Sequence, residues 1–282
     1  MRIGFIGAGL MGHGMVLNLL KGGHDVHIIA HRNRTPIIDL ISKGAREAKD
    51  LEEVAQNCDC IILCLSSSPI VEETILALKP DLRKGQIIID ASTSEPESTR
   101  RLAKILAELG VAYADAPLTG GPEQAASAEL GVLCGAGPET FSSILPLLSC
   151  FATTIRHMGP VGSGHAAKLI SNFLVTGMIA LVAQAFHAAR KADIDWRNLY
   201  EVMLNGSGNS GVLRKMVAPA LDGNFNGYRF SLANAFKDIG YFKALATELD
   251  FDTKLADAVA AVFSTAMDKG LNKENVSRLL AL

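Results

Sequence analysis

The sequence predicts an α/β domain built on a mostly parallel β-sheet, followed by an all-α domain. Three observations predict this fold class. Short apolar segments alternate with helix-like segments in the first half of the chain, a glycine-rich turn follows the first apolar segment, and the strand pattern stops after Gly159. We place the boundary between residues 1–161 and 162–282, and both lengths are typical of single domains.

Six short apolar segments in the first half have the length and composition of β-strands. Helix-like segments separate most of them, which is the order that a parallel sheet with crossover helices requires. One of these helices is expected to start at a capping box, Ser94-Glu95-Pro96-Glu97. The predicted strands are residues 2–6, 25–29, 60–65, 86–91, 112–116 and 131–134.

The second half predicts helices throughout, because apolar residues recur at intervals of three and four. Segment 169–186 is apolar enough to raise the question of a membrane span, which needs about 20 apolar residues. It also carries four polar side chains, Asn172 and Gln184 among them. We therefore interpret it as a helix buried inside a soluble domain, with no membrane attachment.

Composition and charge argue against several classes of function. The formal net charge is -2 at pH 7, which gives no electrostatic basis for binding nucleic acid or an anionic membrane. Cys58, Cys60 and Cys64 lie in or beside an apolar run, where cysteine acts as a small hydrophobic residue. No cluster completes a metal site, and no targeting segment is expected before the first strand. Reduced thiols favour a cytoplasmic location.

The first glycine-rich segment, GFIGAGLMGHG, lies directly after a predicted strand and before a predicted helix. In this context Gly7 allows a tight turn, Gly9 lets the backbone approach a pyrophosphate, and Gly12 lets helix and strand pack closely. The helix N-terminus adds free N–H groups and a partial positive charge. The segment therefore predicts a Rossmann-type dinucleotide site, which includes Leu10 and Met11 of the turn.

The end of the second predicted strand indicates which dinucleotide is bound. It runs into Arg32, Asn33 and Arg34, and no Asp or Glu occurs between Asp25 and Asp39. A carboxylate at this place takes the ribose hydroxyls of NAD, whereas guanidinium groups pair with a 2′-phosphate. The sequence therefore favours NADP, with NAD as the alternative.

Two further loops follow predicted strands at the edge of the sheet where cofactors bind. Leu65 and Ser66 follow the third predicted strand, and Thr93 follows the fourth. Small hydroxyl residues in such loops can bond the dinucleotide, and they can equally be ordinary turn and cap residues.

The second glycine-rich segment, GPVGSGHAAKLISN, carries Lys168 and Asn172, which are four residues apart and share one helix face. Polar groups buried without partners cost free energy, so this pair is a candidate site on an otherwise apolar helix. A lysine whose charged end reaches solvent and an asparagine that caps a neighbour explain the pattern equally well. The residues alone leave both interpretations open.

Four segments in order resemble one known family and together span nearly the whole chain. They are GFIGAGLMGHGM, DAPLTGGPEQA, GPVGSGHAAKLISN and FKDI. They resemble the β-hydroxyacid dehydrogenase family, which includes 3-hydroxyisobutyrate dehydrogenases, several semialdehyde reductases and the core of 6-phosphogluconate dehydrogenase. The resemblance implies hydride transfer between a nicotinamide cofactor and a small hydroxyacid, and a homodimer or homotetramer.

The resemblance also implies roles for individual residues. Lys168 is similar to the catalytic general acid/base, and Asn172 to the residue that helps to hold the substrate. Lys237 is similar to a lysine near cofactor and substrate, and Thr93 to a hydroxyl residue near the nicotinamide ribose. An ordinary lysine has a pKa of about 10.4, and burial or a second cation such as Lys237 would lower it toward neutrality.

The substrate loop resembles the family pattern with departures. Thr119, Gly120 and Gly121 are similar to the loop that receives the substrate carboxylate. Thr119 stands where a serine is usual, and Ala128 stands where a glycine is common. The resemblance therefore does not assign the residues that face the distal end of the substrate.

The sequence leaves two alternative functions open. One is an imine reductase-like NADPH enzyme, although such enzymes usually carry another residue at the Lys168 position. The other is a non-enzymatic NADP-binding or sensing protein, because a fold does not determine a function.

Overall fold

The computed structural model describes residues 1–30 and 33–282 of the chain. These residues form two compact units, Met1–Lys168 and Leu169–Leu282, and each is described by itself. The first unit ends inside a helix that begins at Ser163. The boundary expected between residues 161 and 162 lies just before this helix and stays a prediction.

The first unit contains one β-sheet in which most neighbouring strands are parallel, and the second unit is helical. This arrangement confirms the predicted fold class. The strand order is β3-β2-β1-β4-β5-β6-β8-β7, with β9 paired to β8. Numbered in chain order, the strands are β1 (Arg2–Ile6), β2 (Asp25–Ile28), β3 (Arg46–Glu47), β4 (Cys60–Leu63), β5 (Ile87–Asp90), β6 (Ala112–Asp115), β7 (Leu118–Thr119), β8 (Leu130–Gly135) and β9 (Ala152–Gly159).

All six predicted strands are present to within two residues at either end. Three strands were not predicted: β3, β7 and β9. Two of them are only two residues long, too short for any periodic pattern. The third, β9, is mostly exposed at one side of β8, so its side chains carry little of the hydrophobic signal by which buried strands are recognised.

Helices flank the sheet on both faces, as the alternating pattern predicts. Successive strand residues point to opposite faces, so Ile62 and Ile89 enter one hydrophobic core while Ile61 and Ile88 enter another. The helices of the first unit are α1 (Gly12–Lys21), α2 (Thr35–Ser42), α3 (Leu51–Asn57), α4 (Ser68–Leu78), α5 (Pro96–Glu108), α6 (Pro122–Ser127) and α7 (Pro138–Leu148).

The capping box predicted before α5 is wrong. The helix begins at Pro96, its cap residue is Glu95, and no side-chain cap hydrogen bond forms. The Ser94 hydroxyl instead donates to Oδ2 of the buried Asp90 at 3.0 Å. A hydrogen bond from a hydroxyl to a carboxylate is stronger than a hydrogen bond between a helix amide and a neutral hydroxyl. The Ser94 side chain therefore turns inward to Asp90.

One long helix, α8 (Ser163–Lys191), begins in the first unit and continues in the second. By length and composition alone it could cross a membrane, and long core helices pass the same test. The remaining helices of the second unit pack around a separate core that contains Phe186 and Phe263. They are α9 (Trp196–Asn205), α10 (Gly211–Ala220), α11 (Leu232–Glu248) and α12 (Lys254–Asp268).

Buried thiols are expected to make the first unit sensitive to alkaline pH. Burial raises the pKa of Cys60, and separately that of Cys134, from 9.0 to about 12. The unfolded chain therefore releases these protons first as the pH rises, and the free energy of unfolding falls between about pH 9 and pH 12. Denaturant midpoints measured across this range test the expectation.

The control is Cys60→Ala. Removal of one buried thiol should make the fall of the unfolding free energy with pH shallower by up to about 1.4 kcal/mol per pH unit. An unchanged slope in this variant would contradict the prediction.

Candidate active site

The glycine-rich turn after β1 has the shape that a dinucleotide site requires. Gly7 has a φ of +104°, and a Cβ there would overlap the carbonyl oxygen of Cys64. A Cβ on Gly12 would overlap the carbonyl oxygen of Gly7 and approach the Phe5 ring to 2.7 Å. A Cβ on Gly9 would meet no described atom within 4 Å. Two glycines therefore permit close packing, and the third leaves open space beside the backbone.

The N-terminus of α1 can receive an anion. The helix starts at Gly12, and its cap residue, Met11, makes no side-chain cap hydrogen bond. No acidic residue occupies the first turn, and Leu10 is 81% exposed. A helix start without a capping side chain or an acid, together with the positive end of the helix dipole, fits the pyrophosphate of a dinucleotide.

Three strand ends meet beside this turn. In the strand order β2-β1-β4-β5, the chain places β2 on one side of β1 and later places β4 on the other side. The position between β1 and β4 is therefore a topological switch point. A Cβ on Gly7 would lie 3.3 Å from Cδ2 of Leu65, and the Leu65 amide donates to Oγ of Ser92 at 2.9 Å. The exposed Ser66 and the half-buried Thr93 adjoin these two residues. These predicted cofactor contacts therefore lie at one edge of the sheet, after the ends of parallel strands.

The loop expected to select NADP differs from the expectation. Arg32 lies outside the described residues. Asn33 is exposed, and its side-chain oxygen accepts the Thr35 amide at 3.1 Å. Both terminal nitrogens of Arg34 contact the Glu47 carboxylate at 3.0 Å, and this bond is the main cause of a raised Arg34 pKa. The sequence has no acid between Asp25 and Asp39, but β3 brings Glu47 next to Arg34.

A buried carboxylate caps the helix that carries the candidate catalytic lysine. Asp115 is the last residue of β6, and its two oxygens accept the amides of Gly162 and His165, each at 2.7 Å. Burial raises the pKa of Asp115, while the His165 ring and these amides oppose the rise. A Cβ on Gly164 would overlap the carbonyl oxygen of Leu133. The glycines of this segment thus let α8 start directly against the sheet.

His165 is fully buried and ties α8 to two other elements. Its Nδ1 lies 2.8 Å from Oγ1 of Thr99 on α5, and its Nε2 lies 3.2 Å from the carbonyl oxygen of Ser92 after β5. The ring also lies within 4 Å of the Asp90 and Asp115 carboxylates. In the structure His165 links the start of α8 to the loop that contains Thr93.

Lys168 lies one turn further along α8 and is half-buried. Asn172 is only 9% exposed, and its side-chain amide donates to Oδ2 of Asp238 at 2.7 Å. Asp238, which is 4% exposed, was not among the predicted residues, although it belongs to the quoted FKDI segment. A buried carboxylate thus holds the Asn172 side chain in one orientation on the polar face of α8.

Lys237 is paired inside the second unit. Its ammonium lies 3.1 Å from Oδ1 of Asp238 and 5.0 Å from the centre of the Tyr241 ring. The Asp238 charge offsets much of the Lys237 charge. An effect of Lys237 on Lys168 stays a prediction.

The predicted substrate loop is preorganised within the first unit. Thr119 is half-buried in β7, Gly120 has a φ of +106°, and the Gly121 amide donates to Oε1 of Gln124 at 2.9 Å. Ala128, at φ 61°, holds a left-handed conformation that favours glycine. Ala128 therefore adopts a glycine-like backbone conformation at the position where a glycine is common.

A side chain that the sequence did not single out joins this loop to the dinucleotide helix. Asn18 of α1 is buried, and its amide donates to the carbonyl oxygens of Gly14 and Ala125, at 3.0 and 2.8 Å. Asn18 lies outside every quoted motif, so no local signal marks it. Asp115, in contrast, is the first letter of the DAPLTGG segment and could have been proposed.

Two known families together match nearly the whole chain. Residues 2–159 match the family described as the NAD binding domain of 6-phosphogluconate dehydrogenase, and residues 162–282 match the NAD-binding domain of NADP-dependent 3-hydroxyisobutyrate dehydrogenase. The 2-(hydroxymethyl)glutarate dehydrogenase of Eubacterium barkeri is 30% identical, over 99% of this chain and 93% of that protein. The 3-hydroxyisobutyrate dehydrogenase of Pseudomonas aeruginosa is also 30% identical, over 98% and 97%.

A solved structure shows the same fold. The 3-hydroxyisobutyrate dehydrogenase of Mycobacterium tuberculosis, with L-serine, superposes with a TM-score of 0.89 at 24% identity, over 99% of this chain and 98% of that one. Fold, glycine turn and matched families define an oxidoreductase that uses a nicotinamide dinucleotide and acts on hydroxyacids. The chain belongs to the β-hydroxyacid dehydrogenase family.

Proposed function

We propose that the protein uses NADP to interconvert a small β-hydroxyacid, or a 2- or 4-hydroxyacid, and its semialdehyde or keto acid. The observation that carries this proposal is the polar face of α8. Lys168 lies one turn beyond a helix start that Asp115 caps, and Asn172 is held by Asp238. Such a face on an apolar helix fits proton transfer to a bound substrate better than packing.

Lys168 is the proposed general acid/base. The bound nicotinamide supplies or accepts the hydride at the substrate carbon. In the reducing direction Lys168 donates a proton to the alkoxide oxygen that develops on the substrate, and in the oxidising direction it takes that proton back. Asn172 holds the substrate beside Lys168, and its own orientation is set by the 2.7 Å bond to Asp238.

Thr119, Gly120 and Gly121 are the proposed carboxylate site. The Thr119 hydroxyl can donate to a carboxylate oxygen, and Gly120 leaves the backbone accessible because it has no side chain. Orientation of the substrate in this way places the reacting carbon reproducibly and lowers the entropic part of the barrier. Asn18 joins α1 to α6 and so keeps this loop at a constant distance from the dinucleotide turn.

The proposed preference for NADP rests on Arg34, together with Arg32 from the sequence. A guanidinium group is the side chain best suited to bind a 2′-phosphate. The description of the family that residues 162–282 match names an NADP-dependent enzyme, which supports the same choice.

A small carboxylate substrate and a homo-oligomer complete the proposal. The relatives named above act on 2-(hydroxymethyl)glutarate and 3-hydroxyisobutyrate, and both are carboxylates. The exposed side chains of Ile170, Leu174 and Leu181 lie on one face of α8, and an exposed apolar stripe of this kind supports association of subunits.

The experiment is a panel of reductions followed by cofactor absorbance. NADPH and NADH are each offered with glyoxylate, succinic semialdehyde, tartronate semialdehyde and methylmalonate semialdehyde, and cyclic imines serve as controls. We expect turnover of at least one aldehyde or keto acid with NADPH and none of the imines. Turnover of imines alone would overturn the reaction class, and an NADH preference above about tenfold would overturn the cofactor choice.

A further inference from the structure

The short strand β3 places an acid at the edge of the sheet where the cofactor is expected. It pairs with β2 in parallel, and Glu47 lies opposite Ile28, the last residue of β2. The carboxyl ends of parallel strands face the ligand crevice. In dinucleotide-binding folds an acid near the end of the second strand takes the ribose hydroxyls of NAD. Here the second strand brings no such acid, and the neighbouring strand supplies one.

Glu47 is engaged with the residue proposed to bind the 2′-phosphate. Both its oxygens accept from Arg34 at 3.0 Å, which is the bidentate geometry that a phosphate would otherwise use. The Arg34 side chain is 55% exposed and that of Glu47 is 30% exposed, so a ligand in solvent can reach both.

The two cofactors would meet this ion pair differently. The 2′-phosphate of NADP is an anion, so it is repelled by the Glu47 carboxylate and competes with it for the same guanidinium donors. The 2′-hydroxyl of NAD is neutral, so it meets no such repulsion. The ion pair therefore lowers the affinity for NADP and leaves the affinity for NAD unchanged.

We propose that Glu47 is a specificity-determining residue that restrains the selectivity for NADP by holding Arg34, which lets the protein also use NAD. This inference rests on the cofactor preference proposed above. It predicts a chain that binds both dinucleotides and whose preference changes when the Glu47 charge is removed.

The test is calorimetric titration of the ligand-free protein with NADP and with NAD, in the variants Glu47→Gln and Arg34→Gln. We expect Glu47→Gln to tighten NADP binding about tenfold at low ionic strength and to leave the Kd for NAD within about twofold. Arg34→Gln should weaken NADP binding and leave NAD binding unchanged. The control is Glu72→Gln, which removes one charge from another exposed Arg–Glu pair, with Arg101. It should change neither Kd.

The outcomes separate the inference from the proposed cofactor preference. An unchanged ratio of the two Kd values in Glu47→Gln would overturn the inference, even if the unmodified protein prefers NADP. A preference of the unmodified protein for NAD above about tenfold would overturn the proposed preference instead. In that case a rise in the NADP/NAD affinity ratio of Glu47→Gln would still support the role of Glu47.

Discussion

Replacement of Lys168 with alanine is expected to lower kcat by about 10²- to 10⁴-fold, the usual contribution of a general acid/base. The side chain lies on α8 one turn beyond the Asp115 cap, four residues before the buried Asn172. Lys168 is the group proposed to give the proton that the alkoxide needs. The measurement is steady-state turnover of whichever carbonyl acid the reduction panel identifies.

Two further variants make this test specific to proton transfer. Lys168→Arg keeps the positive charge, but a guanidinium does not release a proton near neutral pH, so it should not restore turnover. Lys191→Ala makes the same change at an exposed position in the last turn of α8 and should leave kcat unaltered. Cofactor binding, measured by titration, should remain within about twofold in Lys168→Ala. Near-normal turnover in that variant would remove Lys168 from the mechanism.

Replacement of Asp115 with asparagine is expected to destabilise the first unit and to slow turnover. Both carboxylate oxygens accept amides of α8, and the residue is fully buried. An asparagine offers one acceptor and turns a donor toward the other amide, so one buried N–H loses its partner. A lost bond of this kind to a charged group costs about 1.5–3 kcal/mol in unfolding free energy. The readouts are the denaturant midpoint and kcat.

The effect on turnover follows from the position of the cap. Lys168 lies one turn after the capped residues, and a displacement of about 1 Å at a reacting group can cost about 10²-fold in rate. The matched control is Asp222→Asn, at an exposed ion pair with Arg197, which should shift the midpoint very little. A midpoint and a kcat that both match the unmodified protein in Asp115→Asn would show that the cap does not position the helix.

Much of the fold and of the candidate site could be predicted from local sequence, because the signals involved are local. The strands before Gly7 and after Asp59 are buried on both faces and therefore read as continuous apolar runs. Gly7 and Gly12 of the first turn are required by close backbone contacts, with the adjacent strand and within the turn. Lys168 and Asn172 share a helix face because of the helical period alone.

Other features depend on residues that are distant in sequence. Asn18 contacts Ala125, which lies 107 positions away, and Asn172 contacts Asp238, which lies 66 positions away. Asn18 and Asn172 are single polar side chains on helices, and no periodic pattern in the sequence predicts their partners. The capping box at Ser94 failed for a different reason, because Asp90, four positions earlier, is buried and offers a competing acceptor.

The sequence by itself determined the fold class, the dinucleotide turn and the lysine face, because hydrophobic period, glycine spacing and helical period are properties of neighbouring residues. Only the tertiary structure decided what holds these parts in place. It brought Asp115 to the start of α8, Asp238 to Asn172 and Glu47 to Arg34. The physical reason is that charge and hydrogen bonding act between groups that meet in space, and strand pairing and helix packing determine which groups those are.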